Sequence, residues 1–409
     1  MKAIILKIYY FFIETIPKLL TGLSERVLLI FPVRRKRIVF SSFTGKSYSC
    51  NPRAIYEYLL THYGDKFEYV WLFDFKTEPI IPDIVRKHAK CVQTDSYKSK
   101  YYKATSGFWI FNHRNTSFFH KRKKQFYIQT WHADLGLKPV DKLLMTEAEL
   151  LYGYGKKCLL DSSMLDVFLV GSEWGYNYGR RAFFFEDGEF LKIGSPRNDI
   201  LFADKKIQEQ LTKKVKKKFN IGEDVKMCLY APTFREDSFE VVDLISSDEA
   251  YLRKLIECLH NRFGGNWILL TKFHPATLNK IASLDRTPNA SVVDASFYPD
   301  MADLLVACDV LISDYSSCLF DFGYTGKPCW FLFEDLDEYL KNIKKFVINI
   351  DQIGFPIAYS KKELLDEIIG FDENEYRERV KRMYEEFGSV ECGKASELIS
   401  ERIVQESSK

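Results

Sequence analysis

The sequence predicts an α/β protein: two facing, doubly wound Rossmann-like domains behind an apolar N-terminal helical segment. Three observations carry this prediction. The 409 residues suffice for two domains of roughly 150 residues each. From residue 37 onward, short apolar runs alternate with helical segments, the pattern of parallel strands joined by crossover helices. A charged helical stretch, KKIQEQLTKKVKKKF (205–219), divides that alternation into two series.

Composition excludes several classes. The chain is 46% hydrophobic, and its 59 Lys+Arg nearly cancel 56 Asp+Glu to leave +3, which argues against disorder and against a dedicated nucleic-acid binder. The 33 Phe and 24 Tyr point to an aromatic-rich core. Nine cysteines, odd in number and without a CxxC pair, favour reduced thiols over a disulfide framework or zinc site.

Residues 1–36 form the apolar segment. Lys7, Glu14, Lys18, Glu25 and Arg26 interrupt the runs 3–16 and 27–33, so neither reaches the ~18 residues of a spanning helix. No small-residue cleavage site marks a signal peptide. The expectation is an interfacial helix on an anionic membrane surface, with Arg34-Arg35-Lys36-Arg37 at the head groups; a packed helical hairpin is the alternative.

The first domain, 37–204, takes strands at 37–43, 68–73, 90–95, 107–112, 126–132, 167–174 and 189–197, with a helix at 51–63 opened by Asn-Pro. The second, 205–370, takes strands at 226–234, 266–275, 290–296, 309–315 and 328–333 and helices at 249–263, 300–307 and 317–325. A helical tail, 371–409, completes the chain's pattern. The lysine run at 205–219 reads as a solvated face. Ligands in such folds bind at the carboxyl ends of the strands. Familiar motifs are missing there: no GxGxxG, HExxH or GxSxG occurs, and Gly45-Lys46-Ser47 fails as a P-loop because Phe40 replaces its first glycine.

Four strand-end loops carry chemistry instead. FYIQTWHADLGLK delivers His132, a candidate general base that Asp134 is placed to orient, with Lys138 six residues on. LYAPTFRED presents Thr233 and Arg235, suited to a phosphate. LLTKFHPA supplies Lys272 and His274. DVLISDYSSCLFDF leads through Asp314 into a helix that Ser316 or Ser317 can cap, making an anion site with its exposed N–H groups.

Taken in order, SSFTGKSYSCNPRAIYEYL, QTWHADLGLK, GSPRNDIL, YAPTFR, KFHP and DVLISDYSSCLFDFGYTGKPCWFLFEDLDEY resemble the CDP-glycerol glycerophosphotransferase family, the teichoic-acid and capsule polymer synthases of bacteria. The resemblance covers roughly residues 37–345. It implies a GT-B fold, with the nucleotide held mainly by the C-terminal domain, and a peripheral enzyme on the cytoplasmic face of the cell membrane. His132 then matches the family's general base, Arg235 and His274 the donor-phosphate residues, and Ser316 and Ser317 the serines of the same pocket. Asn198 and Asp199 match a block beside the cleft, and Gly45 and Asn51 the site wall.

The implied reaction is attack of an acceptor hydroxyl, deprotonated by His132, on the β-phosphorus of a CDP-alditol, with CMP leaving. No cofactor or metal is required in this reading, although Asp314 leaves a divalent ion optional. Family members commonly read Trp-His-Gly-Thr-Pro-Leu-Lys; here the loop is one residue longer before Lys138, its glycine has moved to Gly136 and Asp134 is added. The acceptor is a lipid-linked glycan or polymer, and the sequence does not choose between glycerol and ribitol. Two other classes compete: a nucleotide-sugar glycosyltransferase, and a non-catalytic CDP- or glycan-binding partner.

Overall fold

The computed structural model describes residues 27–77, 81–115, 121–145, 154–233, 245–273, 290–343 and 345–409. The expected interfacial helix therefore lies mostly outside the described residues.

The first half is a seven-stranded, wholly parallel sheet: β1 (Arg34–Ser41), β2 (Glu68–Phe73), β3 (Ala89–Gln93), β4 (Ser106–Phe111), β5 (Phe126–Gln129), β6 (Val167–Val170) and β7 (Glu189–Lys192), in the order β3-β2-β1-β4-β5-β6-β7. Alternation along each strand feeds two cores. Ile38, Phe40, Trp71 and Phe73 pack on one face, and Val39, Val70, Leu72 and Trp109 on the other. Coverage on both faces is why these strands read as nearly continuous apolar runs.

A second parallel sheet has six strands: β8 (Val225–Tyr230), β9 (Asn266–Thr271), β10 (Val292–Asp294), β11 (Val310–Ser313), β12 (Cys329–Leu332) and β13 (Ile357–Ala358), in the order β10-β9-β8-β11-β12-β13. Strand order reverses between β1 and β4 in one sheet and between β8 and β11 in the other, so each sheet has a topological switch point, where ligands bind in open α/β sheets.

Four helices brace or join the two halves: α1 (Cys50–Tyr63), α2 (Glu249–Phe263), α3 (Glu373–Glu386) and α4 (Ala395–Ser407). The expected tail divides between the halves. Tyr376, Val380 and Met383 of α3 join the core of the second sheet, whereas Ile399 and Ile403 of α4 return to the first. Ion pairs cross between the halves as well: Arg53 of α1 meets Asp300 at 3.0 Å and Asp303 at 3.1 Å.

Several strands in both sheets are shorter than expected, and in three of the first sheet a local reason is visible. The run 126–132 stops at Gln129 because Trp131 takes a positive φ. The run 189–197 gives way to a 3-10 helix, Pro196–Phe202. In 167–174, Ser172 caps a helix, Glu173–Ala182, by accepting from Gly175 N. The basic cluster also departs from expectation. Arg37 is buried, its guanidinium bonded to Glu68 at 2.8 and 3.2 Å and to Thr105 Oγ1 at 2.7 Å, so it faces the protein and not a membrane. Among the described residues, no helix is long and apolar enough to cross a membrane.

Candidate active site

After β5 the backbone turns abruptly. Trp131 sits at φ 46°, a region non-glycine residues seldom visit, with its N–H on Gln129 Oε1 at 3.0 Å. The turn holds the His132 ring against Trp131 (centroids 4.4 Å apart) and Phe43 (5.4 Å). His132 Nδ1 lies 2.9 Å from the Asn112 carbonyl. A carbonyl only accepts, so this contact places a proton on Nδ1; the neutral ring then carries its lone pair on Nε2, the tautomer of a general base. Phe43, Thr44 and Cys50 also have positive φ on the same rim. Such backbone costs about 1–3 kcal/mol per residue and persists where the surroundings enforce it.

Several expected site residues act from behind this loop. Asn51 Nδ2 donates to the carbonyls of Thr130 and Trp131, both at 3.0 Å, and its Oδ1 accepts from Arg197 N at 2.9 Å. It is a brace. Gly45 has φ +88°, and a Cβ there would lie 2.5 Å from Thr94 Cγ2, so the position is closed to side chains.

The expectation that Asp134 orients the His132 ring by bonding it directly is overturned. The Asn112 carbonyl already occupies Nδ1, and the Trp131 turn sends Asp134 beneath the loop, where its Oδ1 accepts from Gly171 N at 2.6 Å.

The loop then docks on the second half. Leu137 O accepts from Val347 N at 3.0 Å, Lys138 Nζ lies 5.4 Å from the Tyr339 ring centroid, and a Cβ on Gly136 would stand 3.6 Å from Ser317 Cβ. His132 and the Asp-Tyr-Ser-Ser loop are thereby carried by segments in contact.

On that opposite side, buried Asp314 joins the two switch-point loops. Its Oδ1 accepts from Thr233 N and from Tyr315 N, both at 2.7 Å. Capping is weaker than expected: Ser317 occupies the cap position without a side-chain bond, and Ser316 Oγ accepts from Cys318 N only at 3.4 Å. The helix that begins there, Cys318–Phe322, has five residues, so its dipole adds little. Both serine side chains are half-buried. Arg235 and His274 lie outside the described residues. Lys272 turns inward to the carbonyls of Tyr298 (2.7 Å) and Ser296 (3.3 Å), and burial lowers its pKa to about 8.

Asn198 and Asp199 were expected beside the cleft, and in the structure their side chains bond other protein groups where the two halves meet. Asn198 Nδ2 donates to Asp321 Oδ1 (3.0 Å) and Glu391 Oε1 (3.2 Å), while Asp199 accepts from Ala395 N (3.0 Å) and Ser396 N (2.7 Å) at the start of α4. Their neighbour Arg197 grips Asp321 across the halves through two bonds of 3.0 and 2.8 Å. This block is a clamp: Arg197, the Asn198 amide N–H2 and Asp199 are bonded to partners far along the chain, while Asn198 Oδ1 is buried without a donor among the described residues.

Sequence reasoning missed Asn112 and His113, although GFWIFNH carries the same strand-end signal as His132. Asn112 Oδ1 accepts from Phe43 N at 2.8 Å while its carbonyl holds His132. His113 is bonded to Ser41 Oγ (2.9 Å) and Arg114 O (3.0 Å), and burial pushes its pKa down to about 4, keeping it neutral. Among the described residues, no group of three or more His, Cys, Asp or Glu is arranged to hold a metal ion.

Residues 23–405 match the model of the CDP-glycerol:poly(glycerophosphate) glycerophosphotransferase family. The chain belongs to that family. It is 31% identical over 381 residues to a teichoic acid poly(glycerol phosphate) polymerase of Staphylococcus epidermidis, covering 91% of this chain but 51% of that protein, so it spans about half the relative's length. A Bacillus spizizenii polymerase of the same description is 28% identical over 388 residues, covering 93% of this chain and 94% of the relative. A teichoic acid glycerol-phosphate transferase of Staphylococcus aureus is 30% identical over 382 residues, at 90% and 92% coverage. A solved structure of the wall teichoic acid polymerase TagF superposes with a TM-score of 0.80 at 27% identity, covering 94% of this chain and 93% of that one. The two-sheet architecture of this family member is therefore the GT-B-like fold of TagF.

Proposed function

We propose that this chain transfers an alditol phosphate, glycerol phosphate or ribitol phosphate, from a CDP-alditol to a hydroxyl of a membrane-linked glycan or polymer in teichoic-acid-like or capsular polysaccharide synthesis. The observation that supports the reading is the Nδ1 proton of His132, fixed by the Asn112 carbonyl, on a loop whose Gly136 packs against Ser317. The acceptor O–H proton passes to His132 Nε2 as the oxygen attacks the β-phosphorus. The bond from that phosphorus to CMP breaks, and CMP carries the electron pair away. Hydroxyls of Thr233, Ser316 and Ser317, with Arg235 and His274, receive the growing charge. The chemistry rests on positioning and electrostatics, and a chelator is expected to leave turnover unchanged.

Product analysis tests this with CDP-glycerol, CDP-ribitol and nucleotide sugars against lipid-linked acceptors. CMP with a new phosphodiester is the expected result. A nucleoside diphosphate with a new glycosidic bond reassigns the chain to sugar transfer, and no turnover of any donor reduces it to a binding partner.

The acceptor is reached at an anionic membrane on the cytoplasmic face. Exposed Val27, Leu29, Ile30 and Phe31 form an apolar edge. Arg122 bonds Phe31 O at 2.7 Å, which joins this edge to a groove lined by Arg35, Lys123 and Lys124, with Lys409 there paired to Glu406 at 2.7 Å. Apolar insertion beside cationic side chains suits a peripheral contact. Reversing Arg35 and Lys123 to Glu should release the protein from vesicles containing phosphatidylglycerol; undiminished binding rejects this face.

A further inference from the structure

The His132 loop meets the C-terminal crossing segment at a pair of carboxyl groups. Asp134 Oδ1 accepts from Gly171 N at 2.6 Å, and Glu391 Oε1 accepts from Ser195 N at 2.9 Å and Asn198 Nδ2 at 3.2 Å. Their other oxygens, Asp134 Oδ2 and Glu391 Oε2, are buried and accept no hydrogen bond within 3.5 Å among the described residues, although the Ser172 hydroxyl reaches the Asp134 carboxyl and the Ser195 hydroxyl that of Glu391. Glycines clear the space: a Cβ on Gly171 would lie 2.6 Å from Glu391 Oε1 and 3.3 Å from Asp134 Oδ2, one on Gly194 would lie 2.9 Å from Glu391 Oε2, and Gly175 packs directly on Asp134.

Charge does not balance here. The cation facing the pair is Arg197, and Asp321 already neutralises it through two bonds. Burial keeps the Tyr324 phenol neutral by raising its pKa well above the usual range, and raises the Cys50 thiol to about 11. Like charges sharing a buried site cannot both ionise freely.

We propose that Asp134 is a positioning residue for His132 and that Glu391 retains a proton against it, so that losing this proton loosens the loop carrying the base. The proposal rests on His132 being that base. Burial, with the Asp134 charge adding to it, pushes Glu391 from 4.5 to about 8, and burial raises Asp134 too. A raised folded-state pKa gives stability that is complete below 4.5 and is lost as pH rises through 8.

Hydrogen–deuterium exchange of the full chain, corrected for intrinsic rates, tests this between about pH 7 and about pH 9.5, a range that brackets the Glu391 transition. In the wild type, protection of peptides spanning 131–138 and 389–395 should fall at least tenfold, with the strands of both sheets unchanged. In Glu391→Gln it should hold, because no proton is left to lose, and in Asp134→Asn the fall should be smaller and displaced to higher pH, because the repulsion is gone while the burial of Glu391 remains. Constant wild-type protection overturns the proposal without any variant, and an equal fall in a folded variant overturns it too. The alkaline limb of kcat/KM should move with the exchange transition and vanish in Glu391→Gln. If no substrate turns over at any pH, the reading of His132 fails while the exchange result stands.

Discussion

Two blocks that look alike in sequence, Thr130-Trp131-His132 and Pro196-Arg197-Asn198-Asp199, do opposite work. Both come after strands of the first sheet and both carry polar side chains. In the first, the positive φ at Trp131 and one bond to the Asn112 carbonyl fix a single ring at the strand end. In the second, Arg197, Asn198 and Asp199 are committed to Asp321, Glu391 and the amides of α4. A polar motif at a strand end is thus a site only where its groups are not consumed by their own neighbours, and long-range partners decide that.

Substitutions sharpen the contrast. His132→Ala should lower kcat by about 10²–10⁴-fold with melting temperature unchanged, measured by CMP release and calorimetry. A comparable loss of melting temperature would erase the distinction between the blocks. Arg197→Ala should do the reverse, costing about 3–5 kcal/mol in urea unfolding because Asp321 is left without its counter-charge, while CDP titration under folding conditions stays unchanged. Asp199→Ala should cost about 0.5–2 kcal/mol through the lost cap of α4, with Asp199→Asn restoring part of it.

Most of the architecture was legible in the sequence because it is local. Helix α2 runs over Glu249–Phe263 as its periodicity predicts, and twelve of the thirteen described strands overlap the expected apolar runs, the two-residue β13 having been missed. His132 and the Asp314 loop were legible as strand-end chemistry. The role of Asp134 was not: an adjacent carboxylate is a fair candidate orienter, but a positive φ at Trp131 redirects it. Nor was the clamp, whose partners are distant along the chain: Arg197 and Asp321 are 124 residues apart. His113 was missed because burial and neutrality leave no trace in residue type.

The return of α4 to the first sheet has a consequence for synthesis. Ile399 and Ile403 are fully buried in the core built by β1, β2 and β4. A ribosome releases that half first, yet cannot supply its last core side chains until the entire second half has emerged. The early half therefore waits with an apolar gap along one face, exposed for as long as translation of the intervening residues takes, and the gap closes only once α4 has emerged.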